Sequence, residues 1–138
     1  MFSQWGAKSA PNIMVSENGK AEYRFGWHVA ANDPEYISFL KQYIVAIYCA
    51  LEKEGISENT YFHISDEPSL DTMQAYKTAA EIIRPLIGHS KTYDAISDYA
   101  FYEKGLIECP VTSIHNIHTF LQHDIPNQWL YYCSSPQT

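Results

Sequence analysis

Along the chain the spacing of apolar residues changes several times, and each change predicts an element. Residues 1–32 hold no sustained period and are punctuated by Pro11, Asn18-Gly19 and Gly26. This predicts loop, with a hairpin turning at Asn18-Gly19 and Glu22-Tyr23-Arg24-Phe25 as its return strand. Asp33-Pro34 then supplies a capping side chain and a proline at the first helical position, and Tyr36, Leu40, Tyr43, Ile47 and Leu51 recur at helical spacing up to Gly55. A helix over 34–54 is predicted. Ile37, Ile44 and Tyr48 widen its apolar stripe, so it is expected to cover a sheet.

From Thr60 the rhythm shortens. Thr60-Tyr61-Phe62-His63-Ile64-Ser65 is β-branched and aromatic, and Asp66-Glu67-Pro68-Ser69 breaks it, which predicts a strand ending in an acidic turn. Ser69 or Asp71 can cap the next helix, whose apolar positions are Met73, Tyr76, Ala80, Ile83 and Ile87, with Pro85 shortening its last turn and Gly88 closing it. A strand near Thr92–Ile96, a helix near Tyr99–Lys104, a strand near Cys109–Ile114, a helix near Ile117–His123 and a strand near Gln128–Cys133 follow. The order is βαβαβαβ. Repeated βα units imply an α/β fold with a parallel sheet and right-handed crossovers, either an open doubly wound sheet or a segment of a (β/α)₈ barrel. A whole barrel needs about 250 residues, so 138 residues admit about half of one, with at least four parallel strands. One partial-barrel domain over 1–138 is expected: a loop and hairpin region in 1–32, then a helix and βα units in 33–138.

Composition narrows the function classes. Apolar residues make up 46% and charged residues 18%, which excludes a disordered or low-complexity chain. The run Ile44–Leu51 falls well short of the roughly 20 apolar residues that span a bilayer, so no membrane partner is expected. Nine basic against sixteen acidic residues give a net charge of -7 with no basic patch, which argues against nucleic acid. Cys49, Cys109 and Cys133 suit neither a disulfide framework nor a zinc knuckle and predict reduced, mostly buried thiols. Met1–Gly6 lacks a basic segment followed by an apolar one, so the default location is cytoplasmic. With 14% aromatic residues and 11 Tyr, the chain has the side chains that line sugar sites, although the same residues fill ordinary cores. No Gly-rich phosphate loop, Cys-x-x-Cys or Gly-x-Ser-x-Gly occurs, and no cofactor is expected.

Functional groups of parallel α/β folds gather at the C-terminal ends of the strands, where the first strand ends in Asp66-Glu67. Alternation places Phe62 and Ile64 under helices and Tyr61, His63 and Ser65 on the opposite, concave face, with Glu67 continuing that parity if the strand stays extended. Adjacent carboxylates in one pocket favour a state in which one keeps its proton beside an anion, the outline of glycosidase chemistry. A solvated acidic turn capping the next helix is the bland alternative. His63 is expected to donate to Glu67 from behind. Asp94 is placed either on sugar hydroxyls or at the cap of the helix near Ser97-Asp98. His115 or Asn116, just after the strand 109–114, is expected to reach a sugar pocket, with an ordinary surface role as the competing reading. His115 and His118, with His123 or Asp124, form only a weak metal pattern, and no metal site is expected. Trp129, Tyr131 and Tyr132 are candidates for a stacking platform, and Trp5 is a second one.

The run Tyr61-Phe62-His63-Ile64-Ser65-Asp66-Glu67-Pro68-Ser69, together with Phe2-Ser3-Gln4-Trp5-Gly6-Ala7-Lys8 and Trp129-Leu130-Tyr131-Tyr132-Cys133, resembles glycoside hydrolase family 123 and the related domain-of-unknown-function family 4091. The resemblance runs nearly end to end. It implies a (β/α)₈ glycosidase acting on β-linked N-acetylgalactosamine with help from the substrate's own acetamido group. Glu67 would be the general acid and base, and Asp66 would orient the 2-acetamido group and stabilise the oxazolinium. Both ends of the chain are expected to be cut from a larger barrel, which would leave the 138 residues inactive alone and able to associate through unpaired sheet edges. A non-catalytic carbohydrate-binding or assembly module of the same fold is the alternative. A phospho-acceptor domain lacks the lysine it would need.

Overall fold

The structure, a computed structural model, describes residues 1–3 and 6–131. A hairpin of β1 (Ile13–Glu17) and β2 (Lys20–Phe25) turns at Asn18 and Gly19, whose φ angles of 52° and 78° belong to the tight turn that matches strand twist. Helix α1 (Pro34–Lys53) starts where the sequence predicts it: the Asp33 carboxylate accepts from the N–H groups of Glu35 and Tyr36. Then come β3 (Tyr61–Phe62), α2 (Met73–Ile83), β4 (Lys91–Ile96), α3 (Ala100–Glu103), β5 (Cys109–Ser113), α4 (Ile117–Leu121) and β6 (Trp129–Tyr131). The strands β3-β4-β5-β6 form one parallel sheet in chain order, with helices between them. This is the α/β architecture of a partial barrel, with no closure among the described residues.

The core lies between the sheet and its helices. Phe62, Ile64 and Ile96 from the strand side meet Tyr76, Ala79, Ala80 and Ile83 of α2, with Phe101 and Phe120 from the shorter helices. Phe62 and Ile64 therefore pack under helices, as alternation predicts. Two expectations fail. The strand expected over 60–65 contains only Tyr61–Phe62, and α1 buries only Tyr36, Leu40 and Ile44, leaving Tyr43 and Val45 about half exposed. The hairpin covers α1 near Phe39, against which Phe25 packs at 5.1 Å, and an open apolar groove of about 720 Å³ remains between β1 and the helix. Cys109 is buried but Cys49 is exposed, contrary to the expectation of mostly buried thiols, because Cys49 lies on the uncovered side of α1. Cys133 lies outside the described residues.

Candidate active site

The acidic corner is built by two segments far apart in sequence. Phe2 N donates to Ile64 O at 2.9 Å, so the N-terminal segment runs beside the end of β3. The Ser65 hydroxyl donates to Ser3 O at 2.7 Å and accepts from the N–H groups of Gly6 and Ala7 at 3.2 and 3.0 Å. Gly6 takes φ 111°, and a Cβ there would stand 2.1 Å from the Thr72 Cβ, so only glycine lets this segment lie against the start of α2. Thr72 in turn closes a capping box with Ser69. Residues 2–3 and 6–7 are thus tied to residues 64–65 and 72 as one structural unit. Ser65 is consequently fully buried, whereas His63 remains partly exposed.

The end of β3 is set by Asp94. Its carboxylate accepts from Ile64 N at 3.0 Å and Ser65 N at 3.2 Å, just beyond the last paired residue of β3. It also accepts from the Tyr76 hydroxyl on α2 and faces Nδ1 of His63. The chain then leaves the sheet: Asp66 is half-buried, Glu67 is exposed, and Glu67 adopts φ 43°, a left-handed conformation that side chains other than glycine rarely take. The extended path needed to carry Glu67 on in the parity of His63 is therefore broken. Strained residues of this kind gather at functional corners.

Electrostatics follow the burial. Loss of solvent pushes the Asp94 carboxyl up, while His63, Tyr76 and the Ile64 N–H pull it back. The hydrogen bond to Asp94 raises the His63 imidazolium above its ordinary range against the opposing effect of burial. Burial, and then the Asp94 charge, hold the Tyr76 phenol well above its usual value. His63 is thus tied to Asp94, not to Glu67 as expected. Asp94 is wholly enclosed on the helix-covered face, which removes it from both sugar hydroxyls and helix capping; Asp98 caps α3 instead, through Ala100 N at 2.9 Å.

The concave face carries Tyr61, His63, Tyr93 and Trp129 as one aromatic patch. Ring centroids lie 5.0 Å apart for Tyr61–Trp129, 5.9 Å for Tyr93–Trp129 and 5.8 Å for His63–Tyr93. Trp129 is 44% exposed, enough to present a stacking surface. At the C-terminal edge of the sheet, His115 and Asn116 stand exposed in the turn after β5.

The sequence profile of the glycoside hydrolase 123 catalytic domain matches residues 1–138. The chain belongs to that family. No match is found among curated proteins. As a glycoside hydrolase 123 catalytic domain, the chain has glycoside hydrolysis as its activity class and a carbohydrate as its class of substrate. No helix of the described residues is long and apolar enough to cross a membrane. His123, offered above as a third metal ligand, stacks on Tyr99 at 4.1 Å, and no group of three or more His, Cys, Asp and Glu side chains converges among the described residues. Trp5 and Tyr132 lie outside the described residues, as does the side chain of Tyr131. Sequence reasoning missed the Asp94–Tyr76 pair of the glycoside hydrolase 123 domain. Only a parity was readable: Asp94 shares that of Thr92 and Ile96, the face that meets the apolar stripe containing Tyr76, and nothing local pairs the two residues.

Proposed function

We propose that this chain carries the catalytic corner of a retaining β-N-acetylhexosaminidase, taking N-acetylgalactosaminide-like substrates, with Glu67 as general acid and base and Asp66 as the partner of the 2-acetamido group. The observation that supports this best is the Asp66-Glu67 pair itself, held at the C-terminal end of a parallel strand with Glu67 exposed and its backbone strained. Retaining enzymes with a protein nucleophile place two carboxyls about 5 Å apart across the scissile bond. Consecutive residues on one corner suit a different division of labour. The Glu67 carboxyl gives its proton to the glycosidic oxygen as the C1–O bond breaks, and the acetamido oxygen bonds to C1. Asp66 stabilises the positive charge of the resulting oxazolinium. Water then attacks C1, the Glu67 carboxylate takes its proton, and the ring opens back to the acetamide. The Tyr61–Tyr93–Trp129 patch would offer an apolar face to the pyranose, and His115 and Asn116, exposed after β5, would meet sugar hydroxyls.

The test is the stereochemistry of the first product. Proton NMR of a fresh digest of an aryl β-N-acetylgalactosaminide by the intact enzyme is expected to show the β-anomer first, and a thiazoline analogue of the oxazolinium is expected to compete with substrate. Release of the α-anomer, or indifference to the thiazoline, would overturn the mechanism.

A further inference from the structure

The ladder between β3 and β4 stops after Phe62. In place of backbone carbonyls, one carboxylate from the neighbouring strand receives the donors that follow: Asp94 Oδ1 and Oδ2 take Ile64 N at 3.0 and 3.3 Å, and Oδ1 takes Ser65 N at 3.2 Å. Oδ2 is held from the other side by the Tyr76 hydroxyl of α2, and Oδ1 faces His63 Nδ1. Asp94 is 0% exposed. A buried charge is costly unless surrounded by donors, and nothing in strand formation calls for one here, since an apolar residue at this position would let β3 run on.

We propose that Asp94 is a positioning residue for glycoside cleavage: it takes the Ile64 and Ser65 amides just ahead of Asp66, turns the chain into the acidic corner, and pairs with His63 through Nδ1. This rests on the proposed role of Asp66 and Glu67. A carboxylate that takes two backbone amides of the 64–65 segment and the Tyr76 hydroxyl of α2, with His63 Nδ1 beside it, fixes the backbone entering the corner more tightly than a two-residue strand can, and small misplacements of catalytic groups cost large factors in rate. Fixing one ring nitrogen also decides what the other can do. The groups facing His63 are Asp94 from β4, Tyr93 on the same strand and the Met1 amine; Tyr76 faces Asp94 from α2.

Asp94→Asn in the intact enzyme keeps the volume and removes one acceptor and the charge. With an aryl β-N-acetylhexosaminide, kcat is expected to fall roughly 10²-fold while KM stays within about threefold. The His63 imidazole, followed by NMR, is expected to titrate at lower pH in the variant than in the wild type, a shift that a merely structural role would not tie to the loss of kcat. A folded variant with kcat within about threefold of wild type, or with His63 unmoved, overturns the proposal. Should Asp94→Asn not fold, hydrogen exchange of the wild type decides: the Ile64 and Ser65 amides are expected to be as protected as those within β4, and exchange at loop rates refutes the proposal. A wild type that cleaves no hexosaminide would discard the proposed function, whereas the His63 titration and amide exchange would still judge the grip of Asp94.

Discussion

Glu67 and Asp66 are neighbours in the chain, yet their removal is expected to give different defects. Glu67→Gln takes away the proton donor, so hydrolysis should slow by roughly 10²-fold or more, and less with leaving groups that need no acid. Asp66→Ala removes the charge that steadies the oxazolinium, so its defect should persist with activated aryl leaving groups. Comparing the two variants on phenols of graded acidity checks this, and the same dependence in both would sink the assignment. His63 gives a prediction about stability. Its pKa is raised in the fold, so the folded state holds more protons than the unfolded one between about pH 6.5 and that higher value. Stability from this contact is therefore full below pH 6.5 and is lost as pH rises through the folded pKa. Wild type should lose melting temperature over that range more steeply than His63→Gln, and parallel curves would remove the contact from consideration. At this scale the acidic corner was legible because its residue types are chemically unusual at a strand end. The grip of Asp94 was not, because an aspartate's role depends on which side chain of another element arrives opposite it.

Elements announced by local signals form where those signals place them. Asp33-Pro34 starts α1, Asn18-Gly19 turns the hairpin, and Pro85 ends α2 at Ile83. Each acts through the backbone of its own neighbourhood, so no partner is needed to read it. Asp33→Ala should accordingly cost about 1 kcal/mol in urea unfolding. What the sequence misjudged was set across the chain. The length of β3 is decided by Asp94, 30 residues beyond Ile64, and the exposure of half of α1 by how far the hairpin reaches. Gly6 belongs to the same class. Its backbone conformation and its approach to Thr72 both exclude a side chain, so Gly6→Ala is expected to destabilise by roughly 2–4 kcal/mol and to loosen the segment bonded to Ser65. A urea midpoint equal to that of wild type would show that the segment can shift without cost.

For the whole molecule, the sheet is open among the described residues: β3 and β6 are its outer strands, and β6 has no described strand on its far side. Exposed parallel edges are templates for pairing with another chain. We expect the 138-residue chain, purified by itself, to associate into dimers or larger species by light scattering and to lack turnover on chromogenic N-acetylhexosaminides; a monomer with turnover would refute this. The chain order of the sheet and the N-terminal attachment also set a sequence of events in folding. Neighbouring strands are joined through short connections, whereas Ser65 must find Ser3, 62 residues away, about four times the spacing of paired residues in β4 and β5. Each doubling of a loop costs about 0.6 kcal/mol in closure entropy, so this attachment starts about 1 kcal/mol behind. The segment that contains Ser3 would then be among the last to settle, and the acidic corner would stay unlocked until it docks. Weakening the Ser65 attachment should consequently speed unfolding while leaving the folding rate nearly unchanged.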